Sequence, residues 1–283
     1  MPLVTAKDML QHAYQNGYAV PAFATHNLEV MKAVVEAAEE LDSPIILQMT
    51  PGTIRYVGMD QIVAMTRVVA KQAMIPIVLH LDHGDSFGTV MQCLRAGFTS
   101  VMIDGSLLPF EENVSLTRKV VEAAHAVGVP VEAELGTIGG VEDDLNVEEG
   151  EVSYTDPALA EQFVSRTNID TFAPAFGTAH GVYKGEPKLD FCRLNNINRK
   201  VGIPLVMHGA SGVPEDSVRE SLNYGISKIN ISTELKIAFA EELRRYLVEH
   251  PDESDPRKYF NSARAAVKEV AKRKIRIARG HYS

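Results

Sequence analysis

The chain has 283 residues, 45% of them hydrophobic and 23% charged, with a formal net charge of -9. That length fits one α/β barrel or two smaller domains, and the acidic balance argues against nucleic acid as a default partner. Two cysteines, Cys93 and Cys192, make neither a disulfide framework nor a Cys-rich zinc site. The start MPLVTAKDML carries charge where a signal peptide needs an apolar run, and no stretch approaches the ~20 apolar residues of a membrane helix, so a cytoplasmic setting is expected.

Taken in chain order, a helix over Thr5–Asn16 precedes a first strand over Tyr18–Phe23. A helix follows over Asn27–Leu41, with Asn27 as its N-cap. The alternation then repeats: strand Pro44–Met49, helix Met59–Gln72, strand Pro76–Leu81, helix Ser86–Arg95, strand Ser100–Ile103, helix Phe110–Val127 and strand Pro130–Leu135. After a long acidic, Gly-containing loop (Gly136–Thr155) come helix Pro157–Arg166, strand Thr171–Phe176, helix Asp190–Arg199, strand Pro204–His208, helix Pro214–Tyr224, strand Lys228–Ile231 and helix Glu234–Glu249. A tail helix spans Asp255–Ala278. Several strands are almost continuous Val, Ile and Leu, as parallel strands buried on both faces are, and many begin with proline, which suits a first strand position. Eight such units predict a (β/α)8 TIM barrel with an extra N-terminal helix and a C-terminal helical tail, one domain over 1–283. A doubly wound open sheet is the runner-up, weakened because no GxGxxG follows the first strand.

Barrel chemistry sits where strands end. Strand three ends in His80-Leu81-Asp82-His83, strand six is followed by Gly177-Thr178-Ala179-His180, and strand seven ends in His208. Singly, each histidine reads as hydrogen-bonded structure. Three of nine at one rim read as a metal site, because catalytic zinc takes three protein ligands and keeps one position open. His80, inside strand three, is assigned to structure. Asp82, next to His83, suits an acid/base role or the orientation of a ligand. Asp104 and Glu134, at the ends of strands four and five, suit a second metal position or ligand orientation equally well.

The ends of strands seven and eight, Gly209-Ala210-Ser211-Gly212 and Asn230-Ile231-Ser232-Thr233, look like a phosphate site: small residues with accessible N–H groups beside a helix N-terminus. Ordinary helix-capping turns are the plain alternative. Glu142, on the acidic loop, is a solvated carboxylate or a mobile general base; Arg257, in the tail, is a surface arginine or a partner for a second phosphate.

In that order, the motifs YAVPAF, LHLDHG, SVMIDGS, VEAELGTIGGVEDD, GTAHGVYKG, PLVMHGASG, KINISTELKIAFA and DPRKY resemble, over essentially the whole chain, the class II (metal-dependent) ketose-bisphosphate aldolases. The resemblance implies Asp82 as the catalytic acid/base, His83, His180 and His208 as zinc ligands, and Asp104 and Glu134 at positions that hold a second or alternative zinc. It implies that Gly181, Gly209, Ala210, Ser211, Asn230, Ile231, Ser232 and Thr233 bind dihydroxyacetone phosphate. Glu142 would exchange a proton with that triose, and Arg257 would reach the far phosphate from a neighbouring subunit. Zn2+ is the implied cofactor, with Na+ or K+ near the first phosphate and a zinc-stabilised enediolate on the path. A homodimer or homotetramer follows from the role of Arg257. The substrate is a ketose 1,6-bisphosphate. STELKIAFA and TPGT lean to tagatose, which in some relatives brings a non-catalytic partner subunit, while LDHGDSF and GEP lean to fructose. A zinc hydrolase and a non-catalytic barrel subunit are the competing classes; the first lacks a use for the phosphate turns and the second for the intact acid and histidine set.

Overall fold

The computed structural model describes residues 3–142, 145–147, 152–183 and 185–280. Eight parallel strands close into a barrel: β1 (Val20–Ala24), β2 (Ile45–Met49), β3 (Ile77–Gly84), β4 (Ser100–Ile103), β5 (Val131–Leu135), β8 (Thr171–Pro174), β10 (Leu205–Met207) and β11 (Ile226–Ile231), with β11 returning to β1. The intervening β6 (Gly139–Glu142), β7 (Leu145–Val147) and β9 (Ala179–His180) form a separate small sheet. All eight expected strands are present. The sixth stops at Pro174, two residues short of expectation, and the third runs three residues longer, through Gly84.

Strand-initial prolines work as the sequence suggests. Pro76, Pro130 and Pro204 have no N–H to lose, yet each carbonyl still accepts from the neighbouring strand, at 3.2, 3.2 and 3.0 Å. The expected helices form as α1 (Ala6–Asn16), α2 (Leu28–Glu40), α4 (Met59–Gln72), α5 (Phe87–Ala96), α6 (Phe110–His125), α7 (Pro157–Thr167), α8 (Phe191–Val201), α9 (Glu215–Leu222), α10 (Thr233–Glu249) and α11 (Pro256–Ala278). Asn27 caps α2, its side chain accepting from the Val30 N–H at 2.9 Å. One helix was not expected, α3 (Pro51–Val57), which is too short to show a period; Thr50 caps it and Pro51 opens it.

The two-residue alternation along each strand sorts the core. Outward-facing Ile45, Leu47, Ile77, Leu79, Leu81, Phe172, Met207, Ile229 and Ile231 join the large cluster under the helices. Inward-facing Val20, Ala22, Ile46 and Val78 pack against Leu10 and Ala13 of α1, which plugs the barrel floor. Elsewhere in the barrel the inward positions of β2, β3, β5 and β11 are polar: Gln48, His80, Asp82, Glu132, Lys228 and Asn230, all buried. The interior is therefore an apolar base carrying a polar, water-poor upper storey, and the chemistry is concentrated there.

Candidate metal centre and active site

Strand β3 carries a bulge at its end. His80 pairs with Ser100 and Leu81 with Val101, but Gly84 pairs with Ile103, so Asp82 and His83 together oppose Met102. His83 takes a left-handed backbone, φ 48°. That conformation costs a non-glycine residue roughly 1 kcal/mol or more. The bulge brings two consecutive side chains to one site, which plain strand alternation forbids.

The three imidazoles converge, His83 and His208 from barrel strand ends and His180, expected directly after the sixth strand, from β9 of the small sheet. Ring centroids lie 5.1 Å apart for His83–His180, 4.7 Å for His83–His208 and 5.8 Å for His180–His208, and their ligand atoms fall within 4.8 Å of one another. His83 Nε2 and His208 Nδ1 face each other at 3.0 Å, close to the ~3.3 Å spacing of two nitrogens on a tetrahedral zinc. The other nitrogen of each is held by a carboxylate: His83 Nδ1 by Asp104 Oδ2 at 2.7 Å, and His208 Nε2 by Glu132 Oε1 at 3.0 Å. This carboxylate–histidine arrangement is what fixes metal-binding imidazoles. Glu134 Oε2 is buried 3.9 Å from His208 Nδ1, with no hydrogen-bond partner among the described residues. An orphaned acceptor beside three convergent nitrogens is a donor set that suits zinc.

The carboxylates divide by environment. Burial alone would raise the Asp104 carboxyl, but the His83 imidazole and the Ser106 donors override it and hold it well below the usual range. Glu132, more deeply buried than Asp104, is held low chiefly by the Lys228 ammonium, with help from His208. Glu134 is pushed far up by burial and by the neighbouring Asp104 charge. A cation arriving at Glu134 would meet a carboxyl that gains by ionising.

Asp82 is fully buried between two amides. Gln48 Nε2 donates to its Oδ2 at 2.8 Å and Asn230 Nδ2 to its Oδ1 at 3.1 Å. Gln48 Oε1 and Asn230 Oδ1 are themselves buried without a partner among the described residues. His80, Asp82 and Glu132 form another convergent group, but Lys228 Nζ already sits 3.2 Å from His80 Nε2 and 2.9 and 2.8 Å from the two Glu132 oxygens. An ammonium fills the place a metal would take there.

The segment expected as a long loop contains a hairpin. Strands β6 and β7 pair antiparallel, and β6 also runs parallel to β9, setting Gly140 against His180. Gly140 has φ 100°, and a Cβ there would stand 2.1 Å from the His180 carbonyl oxygen. Gly140→Ala is therefore expected to push β6 off β9, displace His180 and weaken zinc retention at least tenfold, read by competition with a chelator; retention equal to the parent would refute that coupling. Glu142 ends β6, two residues past this contact; its side chain lies outside the described residues, as do Asp143 and Asp144.

Of the proposed phosphate turns, Gly209 (φ 65°) presses against the Ala179 carbonyl and is tied by Tyr183, whose hydroxyl donates to Gly209 O and accepts from Ala179 N, both at 2.8 Å. Gly181 also has a left-handed backbone. Ala210 and Ser211 are buried; Ser232 and Thr233 open α10. Two expectations change. The Gly212 N–H, read as accessible, donates to Glu234 Oε1 at 2.7 Å. The Ile231 side chain lies in the outer core, so only its main chain faces the site. Arg257, in the first turn of α11, is exposed and chelated by Asp255 at 2.7–3.1 Å; it lines a surface groove with Lys32 and Arg264 rather than the metal centre.

Gln48, Glu132, Lys228, Ser106 and Tyr183 were not singled out from the sequence. For the first three a signal existed: each is a polar residue at an inward strand position, Gln48 in the otherwise apolar IILQM and Glu132 and Lys228 in the mixed strands VEAEL and ISKINI. Burial drives the pKa of His80 far below 6.5, with help from Lys228, and burial also lowers that of His208. The unfolded chain gains protons on both as pH falls through 6.5 and the fold does not. Stability of the metal-free protein is therefore full above that pH and declines below it, by up to about 1.4 kcal/mol per pH unit for each linked proton. His80→Gln should flatten the dependence of the urea midpoint over pH 5–7; an unchanged slope would exclude His80 as its source.

A barrel with convergent imidazoles at its carboxyl-end rim defines a metal-dependent barrel enzyme. Within that class the chain belongs to the class-II fructose-bisphosphate aldolase family, whose model matches residues 4–281; it is an aldehyde-lyase of that type, and zinc dependence is general in the family. It is 48% identical over 277 residues to the D-tagatose-1,6-bisphosphate aldolase subunit GatY of Klebsiella oxytoca, covering 98% of both chains. Among solved structures it resembles the YdjI aldolase of Escherichia coli K12 (35% identity, TM-score 0.86, 98% of this chain and 97% of that one). It also resembles a protein from Coccidioides immitis assigned as a fructose-1,6-bisphosphate aldolase (31% identity, TM-score 0.87, 97% and 96%). The family and fold expected from the sequence are thereby established.

Proposed function

We propose that the chain reversibly cleaves D-tagatose 1,6-bisphosphate to dihydroxyacetone phosphate and glyceraldehyde 3-phosphate. The observation that carries the site reading is that one bulged strand end sets a buried, amide-held Asp82 beside His83, on which His180 and His208 converge from other elements. The 48% likeness to a tagatose-bisphosphate enzyme supports the sugar.

His83, His180 and His208 would hold the zinc, which supplies a Lewis acid for the negative charge left when the C3–C4 bond breaks. Asp82 takes the proton from the C4 hydroxyl, so that a carbonyl forms at C4 and the bonding pair passes to C3. Gln48 and Asn230 keep the carboxylate aimed while it does so, and their spare oxygens suit substrate hydroxyl donors. Glu142 then returns a proton to C3. Gly181, the main chain over 209–211 and 230–231, Ser232 and Thr233 bind the first phosphate by N–H and hydroxyl donors, with Na+ or K+ beside it. Arg257 takes the second phosphate of a neighbouring subunit's substrate, within a homodimer or homotetramer. Asp104 orients His83, and Glu134 serves as an alternative ligand. A non-catalytic partner subunit and a cytoplasmic setting accompany the tagatose reading. No described helix is long and apolar enough to cross a membrane.

Fructose 1,6-bisphosphate is the second reading, favoured by the family description and by the Coccidioides immitis neighbour. The two sugars differ at C4, so the condensation product decides. Dihydroxyacetone phosphate and glyceraldehyde 3-phosphate should give mainly the tagatose configuration. Mainly fructose product would transfer the assignment, and no ketose bisphosphate at all would overturn the site reading.

A further inference from the structure

Beneath the histidine cluster, four side chains exposed by no more than 2% form one hydrogen-bond chain: His80, Lys228, Glu132 and His208. Donor and acceptor counting over its contacts of 3.2 Å or less assigns the protons, and the longer 3.4 Å approach of Asn230 Nδ2 to His208 Nε2 is then no hydrogen bond. Lys228 has three N–H groups and no acceptor. It spends them on Glu132 Oε1 (2.9 Å), Glu132 Oε2 (2.8 Å) and His80 Nε2 (3.2 Å). His80 Nε2 must then carry the lone pair, and its Nδ1–H donates to Ser100 Oγ at 2.8 Å. Glu132, salt-bridged to an ammonium, only accepts. His208 Nε2, 3.0 Å from Glu132 Oε1, must therefore carry the hydrogen, which leaves the lone pair on Nδ1, the atom facing His83.

We propose that the Lys228–Glu132 pair is a positioning device: it locks the tautomer and ring plane of His208 and so presents Nδ1 to the metal centre. The proposal rests on the metal reading of that centre. Stability gives no sufficient reason for the pair, because replacing a buried ion pair by neutral side chains of similar volume is often neutral or stabilising. Its geometry does give one, since the only imidazole it shares with the rim is that of a ligand candidate. Asp104 holds His83 by the same logic from the opposite side of the cluster, at 2.7 Å.

The test uses the full chain in two variants. Glu132→Gln with Lys228→Met removes both charges and keeps the volume. Glu132→Gln alone lets the amide oxygen accept from Lys228 and turns the amide N–H groups toward His208, which should invert the tautomer to Nδ1–H. Zinc affinity is measured by chelator competition, the imidazole tautomers by 15N NMR of the histidine-labelled, metal-free protein, and the fold by its thermal unfolding. The double variant should bind zinc about 10–100-fold more weakly, the usual effect of losing such an outer partner, while unfolding at the parent temperature or above. Its His208 signal should change from a fixed Nε2–H to a mixture, and the single variant should show Nδ1–H. Zinc affinity within twofold of the parent, or an unchanged Nε2–H signal in both variants, would overturn the proposal. If His208→Ala binds zinc as the parent does, His208 is not a required ligand and the ligand assignment on which this proposal rests falls; if only that variant loses zinc, the assignment stands and this inference alone fails.

Discussion

Asp82→Asn is expected to lower turnover by about 10³-fold while zinc stays bound, in line with the 10²–10⁴-fold that positioned proton transfer contributes. The substitution is nearly isosteric, so the fold has little to repack. Its chemistry is different: an amide cannot take the C4 proton, and its NH2 would face the Gln48 or Asn230 NH2, which now donate at 2.8 and 3.1 Å. One of those amides must flip, which trades a donor for an acceptor without moving the imidazoles. The check is triose phosphate release from tagatose 1,6-bisphosphate beside zinc content by atomic absorption. Turnover within tenfold of the parent would remove Asp82 from the chemistry. Loss of zinc together with activity would make it part of the metal site instead.

His208→Ala should abolish both zinc retention and activity, with a loss of 10³-fold or more, because Lewis-acid stabilisation supplies several kcal/mol and each 1.36 kcal/mol is tenfold in rate. The variant removes the Nδ1 that faces His83 Nε2 and also strips Glu132 of its imidazole donor. A chelator should silence the parent to the same degree. Added zinc should restore the parent and fail to restore the variant at the same concentration. A variant that recovered fully with zinc would show that His83, His180 and Glu134 hold the metal without it.

Much of this was legible in the amino-acid sequence because the signals were local. Parallel strands buried on both faces read as apolar runs, and the prolines before β2, β3, β5 and β10 marked where they begin. Asn27 announced its helix by capping chemistry. His83 and His208 could be placed at strand ends by counting alone, and His180 only in the segment that follows the sixth barrel strand, where the structure gives it a place on β9. The hairpin of β6 and β7 was not legible, since its partner, β9, lies about forty residues further on and only the closed barrel brings the two together. The α3 turn was hidden by its length.

Sequence by itself determined the eightfold alternation, the rim positions of the three histidines and, through the order of its motifs, the family. Tertiary structure decided which polar residues face inward together and which way their protons point. Gln48 looks in the sequence like a single polar interruption of an apolar strand, and Glu132 and Lys228 like polar members of the mixed strands VEAEL and ISKINI. Closing the barrel puts them in one dry interior, where an unpaired polar group costs too much to leave unmatched. The β3 bulge is the same kind of fact: pairing across to Met102, and no property of Asp82 or His83 alone, turns two neighbouring side chains into one site.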